Sequence, residues 1–146
     1  MKDKISISRI ELLHPKVKQP FTSFINECEN ELGIVLRVVQ GFRTFDEQHA
    51  LFLQKPKVTN ADGGYSYHNY GLAIDLLNLV GSKPNWLFDY SKLLPYSKKY
   101  NLEWGGNFKS ILDKPHFQLT FGYTVQQLLE KHKNKDFIIG TNYVNI

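Results

Sequence analysis

Between Leu72 and Leu79 the chain reads Leu-Ala-Ile-Asp-Leu-Leu-Asn-Leu, and a carboxylate inside so apolar a run limits the possible folds more than any other feature. The run has the length and composition of a largely buried strand. Asp75 is then carried toward the interior, where a carboxylate requires a partner or a metal. The chain has only three arginines, Arg9, Arg37 and Arg43. Pairing with one of them and ligation of a metal both stand as readings of Asp75.

The rest of the chain supplies elements around this strand. Phe21, Phe24, Ile25, Cys28 and Leu32 recur at helical spacing, and Gly33 ends that helix. Ile34 to Val39 is a β-branched, apolar run that reads as another buried strand. After the turn at Gly41-Phe42-Arg43, Thr44 and Glu47 form a capping box opening a short helix to about Gln54. Pro56 and Asn60 to Gly64 mark a long loop. Trp86, Leu87, Tyr90, Leu93 and Leu94 predict a helix extended through Lys99. Gly105-Gly106 predicts a turn, and His116 to Phe121 a third strand. Thr124 and Gln127 cap a further helix, and Phe137 to Ile139 has the composition of an edge strand. Strands and helices are mixed without regular alternation, which predicts an α+β fold with a small, largely antiparallel sheet and flanking helices.

At 146 residues the chain is expected to form a single domain, 1–146, with no separate binding domain. The formal charge of +4 biases it toward polyanions without choosing one, and no basic stripe supports a nucleic-acid partner. The one cysteine, Cys28, excludes an internal disulfide and any multi-cysteine metal site; on the apolar stripe of its helix it reads as a buried small hydrophobe. No window approaches the roughly 18 apolar residues of a membrane span, and Met1 to Arg9 has no apolar core of a signal peptide. Synthesis in the cytoplasm is expected, with any work outside depending on a holin-like or other release route.

Three segments carry the chemistry: Ser66 to Asp75, Trp104-Gly105-Gly106, and Asp113-Lys114-Pro115-His116-Phe117. His68 lies in a glycine-flanked loop, Asp75 in the strand that follows, and His116 at the start of another strand. Two imidazoles and a carboxylate, with a fourth position left for water, make a catalytic zinc arrangement. Spacing alone leaves this beside the arginine pairing.

The pattern Ser-x-His-x-x-Gly-x-Ala-x-Asp, followed by Asp-x-Pro-His-Phe, resembles the zinc D-Ala-D-Ala carboxypeptidase and L-alanyl-D-glutamate endopeptidase family, peptidase family M15. The likeness is strongest to the endopeptidase branch of phage endolysins and bacterial wall hydrolases. It extends to Leu13 to Val17, Leu36 to Gln48, Val58 to Ala61, Glu103 to Gly106 and Phe121 to Thr124. The resemblance implies a hedgehog/D-Ala-D-Ala-peptidase-like fold and hydrolysis of peptidoglycan stem peptides at the L-Ala-D-Glu bond. It implies Zn2+ held by His68, Asp75 and His116, with Asp113 as general base. It gives Arg43 substrate binding and charge stabilisation, and Ser66 a substrate contact. Gln48 matches a polar pocket position, with a place on the helix surface as the alternative.

Two stretches depart from the family pattern, the short Lys55-Pro56-Lys57 and the Asn107-Phe108-Lys109 after the glycine pair. Both bear on the cleft rim and leave the metal motif intact. His14, His49 and His132 are expected to be solvated or structural, and Trp104 and Tyr70 to be core residues, with a place lining the cleft as the alternative. The alternatives are a D,D-carboxypeptidase or dipeptidase acting on D-Ala-D-Ala termini, and a non-catalytic zinc-bearing wall-binding module. Asp113 argues against the module, which has no use for a base.

Overall fold

The computed structural model describes residues 1–146. In chain order the elements are α1 (Lys4–Glu11), α2 (Lys18–Leu32), β1 (Val35–Gln40), α3 (Phe45–Phe52), β2 (Ala73–Val80), β3 (Lys83–Pro84), α4 (Leu94–Lys99), β4 (Glu103–Trp104), β5 (His116–Gln118) and α5 (Val125–Lys133). Short 3-10 turns at Tyr67–Tyr70, Tyr90–Leu93 and Gly105–Asn107 join them. The strands run β1-β2-β5-β4 across the sheet, β3 also pairs with β2, and every pairing is antiparallel. The expected α+β architecture is therefore present.

Strand alternation divides the sheet into two chemically different faces. Leu36, Val38, Ile74, Leu76 and Phe117 are fully buried in one core cluster with Phe21, Phe24, Ile25 and Cys28 of α2. The Phe24 and Phe117 rings meet at 5.1 Å between centroids. Burial pushes the Cys28 thiol up to about 12, as befits an unreactive core residue. Asp75 and His116 are partners across β2 and β5, and Gln118 and Glu103 are partners across β5 and β4. With Ile74 and Phe117 turned into the core, these residues lie on the opposite face of the sheet.

Several local expectations hold and others are corrected. Gly33 ends α2 at φ +64, a left-handed conformation that glycine adopts without strain. Thr124 and Gln127 form the full reciprocal capping box of α5. Only half of the box forms at α3: Thr44 accepts from the Glu47 amide, but its hydroxyl donates to the Glu47 carboxylate, which leaves the Thr44 amide without its capping-box partner. Trp86 and Leu87 lie outside any helix and are exposed, because Asn85 turns the chain and Asp89 begins the helical segment four residues later than expected. The third strand stops at Gln118, short of Phe121, which takes a φ of +53. Phe137 makes one bridge to Val144 within the tail and does not extend the sheet.

The N-terminal segment, to which the sequence reading assigns no element, is helix α1. Ser6 and Ile10, one turn apart, are its buried residues, and the Ser6 hydroxyl accepts from the Val38 amide. Asp3 caps this helix through the Ser6 amide and also receives both Nε and Nη2 of Arg37 on β1. The Arg37 hydrogen bonds hold its carboxyl down to about 2 against the opposing effect of burial, with Ser6 adding to the shift. Asp3→Asn is expected to cost about 2 kcal/mol at neutral pH. The carboxyl is depressed in the folded state, so its contribution is complete above the ordinary value of 3.8 and fades as pH falls toward about 2. Urea unfolding should show the wild-type and variant stabilities converging over that acid range.

Candidate metal centre

His68 is held by the fold before any ligand is considered. The 3-10 turn Tyr67–Tyr70 is capped by Ser66, whose hydroxyl oxygen accepts from the His68 amide, and by Asn69 in a reciprocal capping box. Gly71 closes the turn at φ +68, and a Cβ there would lie 2.6 Å from the His14 amide nitrogen. The turn is laced to the segment after β1. Arg43 donates its backbone amide to the His68 carbonyl at 3.0 Å, and the Asn69 side chain donates to the Arg43 carbonyl. The Gly41 carbonyl accepts from His68 Nδ1 at 2.8 Å. A carbonyl can only accept, so Nδ1 carries the proton and Nε2 presents a lone pair.

That lone pair meets the sheet. His68 Nε2 lies 3.4 Å from Asp75 Oδ1, and His116 Nδ1 lies 3.1 Å from the same oxygen. One donor atom from each of the three residues falls within 4.8 Å of the others, and no other side chain joins the cluster. Burial alone would raise the Asp75 carboxyl, but the adjacent His116 and His68 imidazoles outweigh it and hold the carboxyl well below its usual range. For His116, burial acts to lower the imidazole pKa, and the Asp75 carboxylate overcomes it and raises the value. Asp75 pairs with these imidazoles and not with an arginine: Arg37 is taken by Asp3, and Arg9 donates to the Val38 carbonyl.

Asp113 stands beside this cluster, its Oδ2 3.9 Å from His116 Nδ1. Its position follows from the glycine pair. The Asp113 amide donates to the Gly105 carbonyl, the Asp113 carbonyl accepts from the His116 amide, and Trp104 Nε1 donates to the Lys114 carbonyl. Trp104 and Tyr70 are both buried, as expected of core residues. Burial and the nearby Asp75 charge raise the Asp113 carboxyl above its ordinary value, while His116, His68 and Arg43 work against the shift. Proton acceptance at such a group is easier than at an ordinary surface aspartate.

Arg43 faces the same space. Burial lowers its pKa, and the charges of Asp75, Glu47 and Asp113 oppose that effect. Nη1 donates to Gln48 Oε1 at 2.7 Å, Nη2 to Gln40 Oε1 at 3.3 Å, and the buried Nε has no partner within the chain. Gln48 is completely buried and donates to the Ala61 carbonyl, so it orients Arg43 and is not a helix-surface residue. Ser66 is seen as the cap of the His68 turn. An open cleft of about 920 Å³ runs alongside Asp113, bordered by Val58, Asn60, Tyr65, Phe108 and Ile111.

His14, His49 and His132 lie outside the cluster. His14 is buried against the Val144 carbonyl, His49 pairs with Asp62, and His132 stacks on Phe45 at 4.5 Å. Sequence reading overlooked Gln118 and Glu103. His116 Nε2 pairs with Gln118 Oε1 at 2.8 Å, and Gln118 Nε2 donates to Glu103 Oε2 at 2.9 Å. Gln118 could have been found from the two-residue period of a strand, which sets it on the same face as His116.

A Cβ on Gly105 would lie 2.0 Å from the Asp113 carbonyl oxygen and 3.0 Å from His116 Cβ. Gly105→Ala is therefore expected to destabilise the fold by about 3 kcal/mol and to displace Asp113. Denaturant unfolding would measure the first effect, and the chemical shifts of the Asp113 to His116 turn the second.

Comparisons with known proteins agree with this geometry. The M15 peptidase family model described as D-alanyl-D-alanine carboxypeptidase matches residues 59–119, the span that contains all three clustered residues and Asp113. The peptidoglycan L-alanyl-D-glutamate endopeptidase CwlK of Bacillus subtilis (strain 168) is 38% identical over 123 residues, covering 73% of this chain and 73% of that protein. An L-alanyl-D-glutamate peptidase of Listeria phage A118 is 26% identical over 128 residues, 81% of this chain and 42% of its own length. The crystal structure of the Serratia marcescens L-Ala D-Glu endopeptidase ChiX shares the fold with a TM-score of 0.63 at 23% identity, covering 81% of this chain and 88% of that one. With a clustered His-Asp-His set and a relative similar over most of both lengths, the chain belongs to the M15 family of metallopeptidases.

Proposed function

We propose that this chain is a zinc-dependent endopeptidase that hydrolyses peptidoglycan stem peptides at the L-Ala-D-Glu bond. The observation that carries the reading is the convergence of His68 Nε2, Asp75 Oδ1 and His116 Nδ1 beside a carboxylate, Asp113, that stands apart from the three. The substrate comes from the relatives named for L-alanyl-D-glutamate cleavage.

The donor set fits zinc: two imidazole nitrogens and one carboxylate oxygen converge, with no thiolate, which is the composition of a catalytic site with an open position. Zinc bound there supplies a Lewis acid and a water acidified to near neutrality. His68, Asp75 and His116 would hold the ion. Asp113 accepts the proton of the attacking water and delivers it to the leaving nitrogen, a task suited to its raised pKa. Arg43, kept cationic and oriented by Gln48 and Gln40, neutralises the oxyanion that develops on the carbonyl. Ser66 contacts the substrate at the mouth of the His68 turn while capping it. The cleft beside Asp113 receives the peptide.

Residues 1–146 act together as one catalytic domain. No helix is long and apolar enough to cross a membrane. The matched family's description keeps a second reading, carboxypeptidase action on D-Ala-D-Ala termini. Digestion of purified peptidoglycan with and without chelator separates the two by product mass. Stems freed at L-Ala-D-Glu support the endopeptidase, whereas free alanine as the sole product overturns it.

Two substitutions test the division of labour. Asp75→Asn is expected mainly to weaken zinc affinity. Asp113→Asn is expected to retain zinc and lower turnover by about 100- to 10,000-fold, with little change in substrate binding. Zinc content and stem-peptide cleavage of both variants decide the assignment. Loss of zinc from Asp113→Asn, or near-normal turnover in it, would show that the base lies elsewhere.

A further inference from the structure

The face of the sheet that bears Asp75 and His116 continues into a chain of hydrogen bonds that the peptidase chemistry does not itself require. Glu103 accepts from Gln118 Nε2 at 2.9 Å through one oxygen and from the Thr120 hydroxyl at 3.2 Å through the other. Gln118, nearly fully buried, turns its amide oxygen to His116 Nε2 at 2.8 Å. β-Sheet register produces the alignment, since Gln118 is the cross-strand partner of Glu103 and lies two residues from His116.

The direction of this chain is fixed by its far end. A carboxylate only accepts, so Glu103 selects the NH2 end of Gln118. The amide oxygen is thereby left for His116, and an oxygen acceptor requires a proton on Nε2. In the neutral imidazole, the form that binds a metal, Nδ1 then carries the lone pair, and Nδ1 is the nitrogen that faces Asp75. Were the Gln118 amide reversed, it would donate to Nε2 and move the imidazole proton to the side that faces Asp75.

We infer that Gln118 and Glu103 are positioning residues that lock His116 in the tautomer competent to bind the metal. The inference rests on the zinc reading given above. Glu103 acts on the ion only through two intervening side chains, and it does so from an exposed position where substitution leaves the core intact. Partners of metal-bound imidazoles are commonly worth about 10- to 100-fold in affinity.

The test measures zinc affinity by chelator competition, with thermal unfolding of the metal-free chains alongside. Gln118→Met should weaken zinc binding by about tenfold or more, and Glu103→Gln by about threefold, because the amide at 118 is then free to reverse. The exchanged pair, Gln118→Glu with Glu103→Gln, restores an acceptor for His116 and a donor behind it. Its zinc affinity should return to the wild-type level or exceed it. A purely structural role predicts lower unfolding temperatures with unchanged zinc affinity and no recovery in the exchanged pair, and that pattern overturns the inference. If the wild-type chain binds zinc and all variants bind it equally, the relay alone is wrong. If the wild-type chain binds no zinc, the metal reading falls as well.

Discussion

The structure turns on one antiparallel pairing, Asp75 against His116 across β2 and β5. Side chains directly opposite in such a pair are held close without help from loops. The same register turns Ile74 and Phe117 into the core, so packing and function are set by one alignment. A slip of one residue would put the acid in the core and an apolar side chain on the open face. The Phe24 to Phe117 contact therefore protects the site while never touching it.

Around this fixed pair the remaining groups arrive on turns, and each turn is pinned by backbone. The segment after β1 gives a carbonyl to His68 and receives Asn69 in exchange. The glycine pair after β4 gives a carbonyl to the Asp113 amide and approaches so closely that any side chain would collide. Catalytic groups on loops normally trade precision for access. Here the loops are tied to one another and to the sheet by main-chain bonds that side-chain substitution elsewhere leaves in place.

Much of this was legible in the sequence, for identifiable reasons. The strand around Asp75 announced itself by composition, α2 by its period and Gly33, and the clustered His68, Asp75 and His116 by spacing combined with family resemblance. Where periodicity was weak, the reading failed. Helix α1 buries only Ser6 and Ile10, too few apolar positions to register as an amphipathic stripe. Trp86 and Leu87 looked helical by type yet stand in solvent, because the Asn85 side chain captures the Leu87 amide. Strand β4 has two residues and no period of its own. Its existence depends on β5, which is why the Gln118 to Glu103 contact could not be anticipated without the sheet.

The lacing of Gly41 to His68 also bears on how the ion is acquired. Many small metal domains gain their fold and their ion together, so that uptake is accompanied by the heat-capacity change of burying a core. In this chain the core of α2 and the sheet is assembled from residues that take no part in ligation, and the His68 ring is oriented by a main-chain carbonyl. On the proposed zinc reading, calorimetry of metal uptake should therefore resemble docking of a small ligand into a finished receptor, and chelation should abolish cleavage without melting the chain.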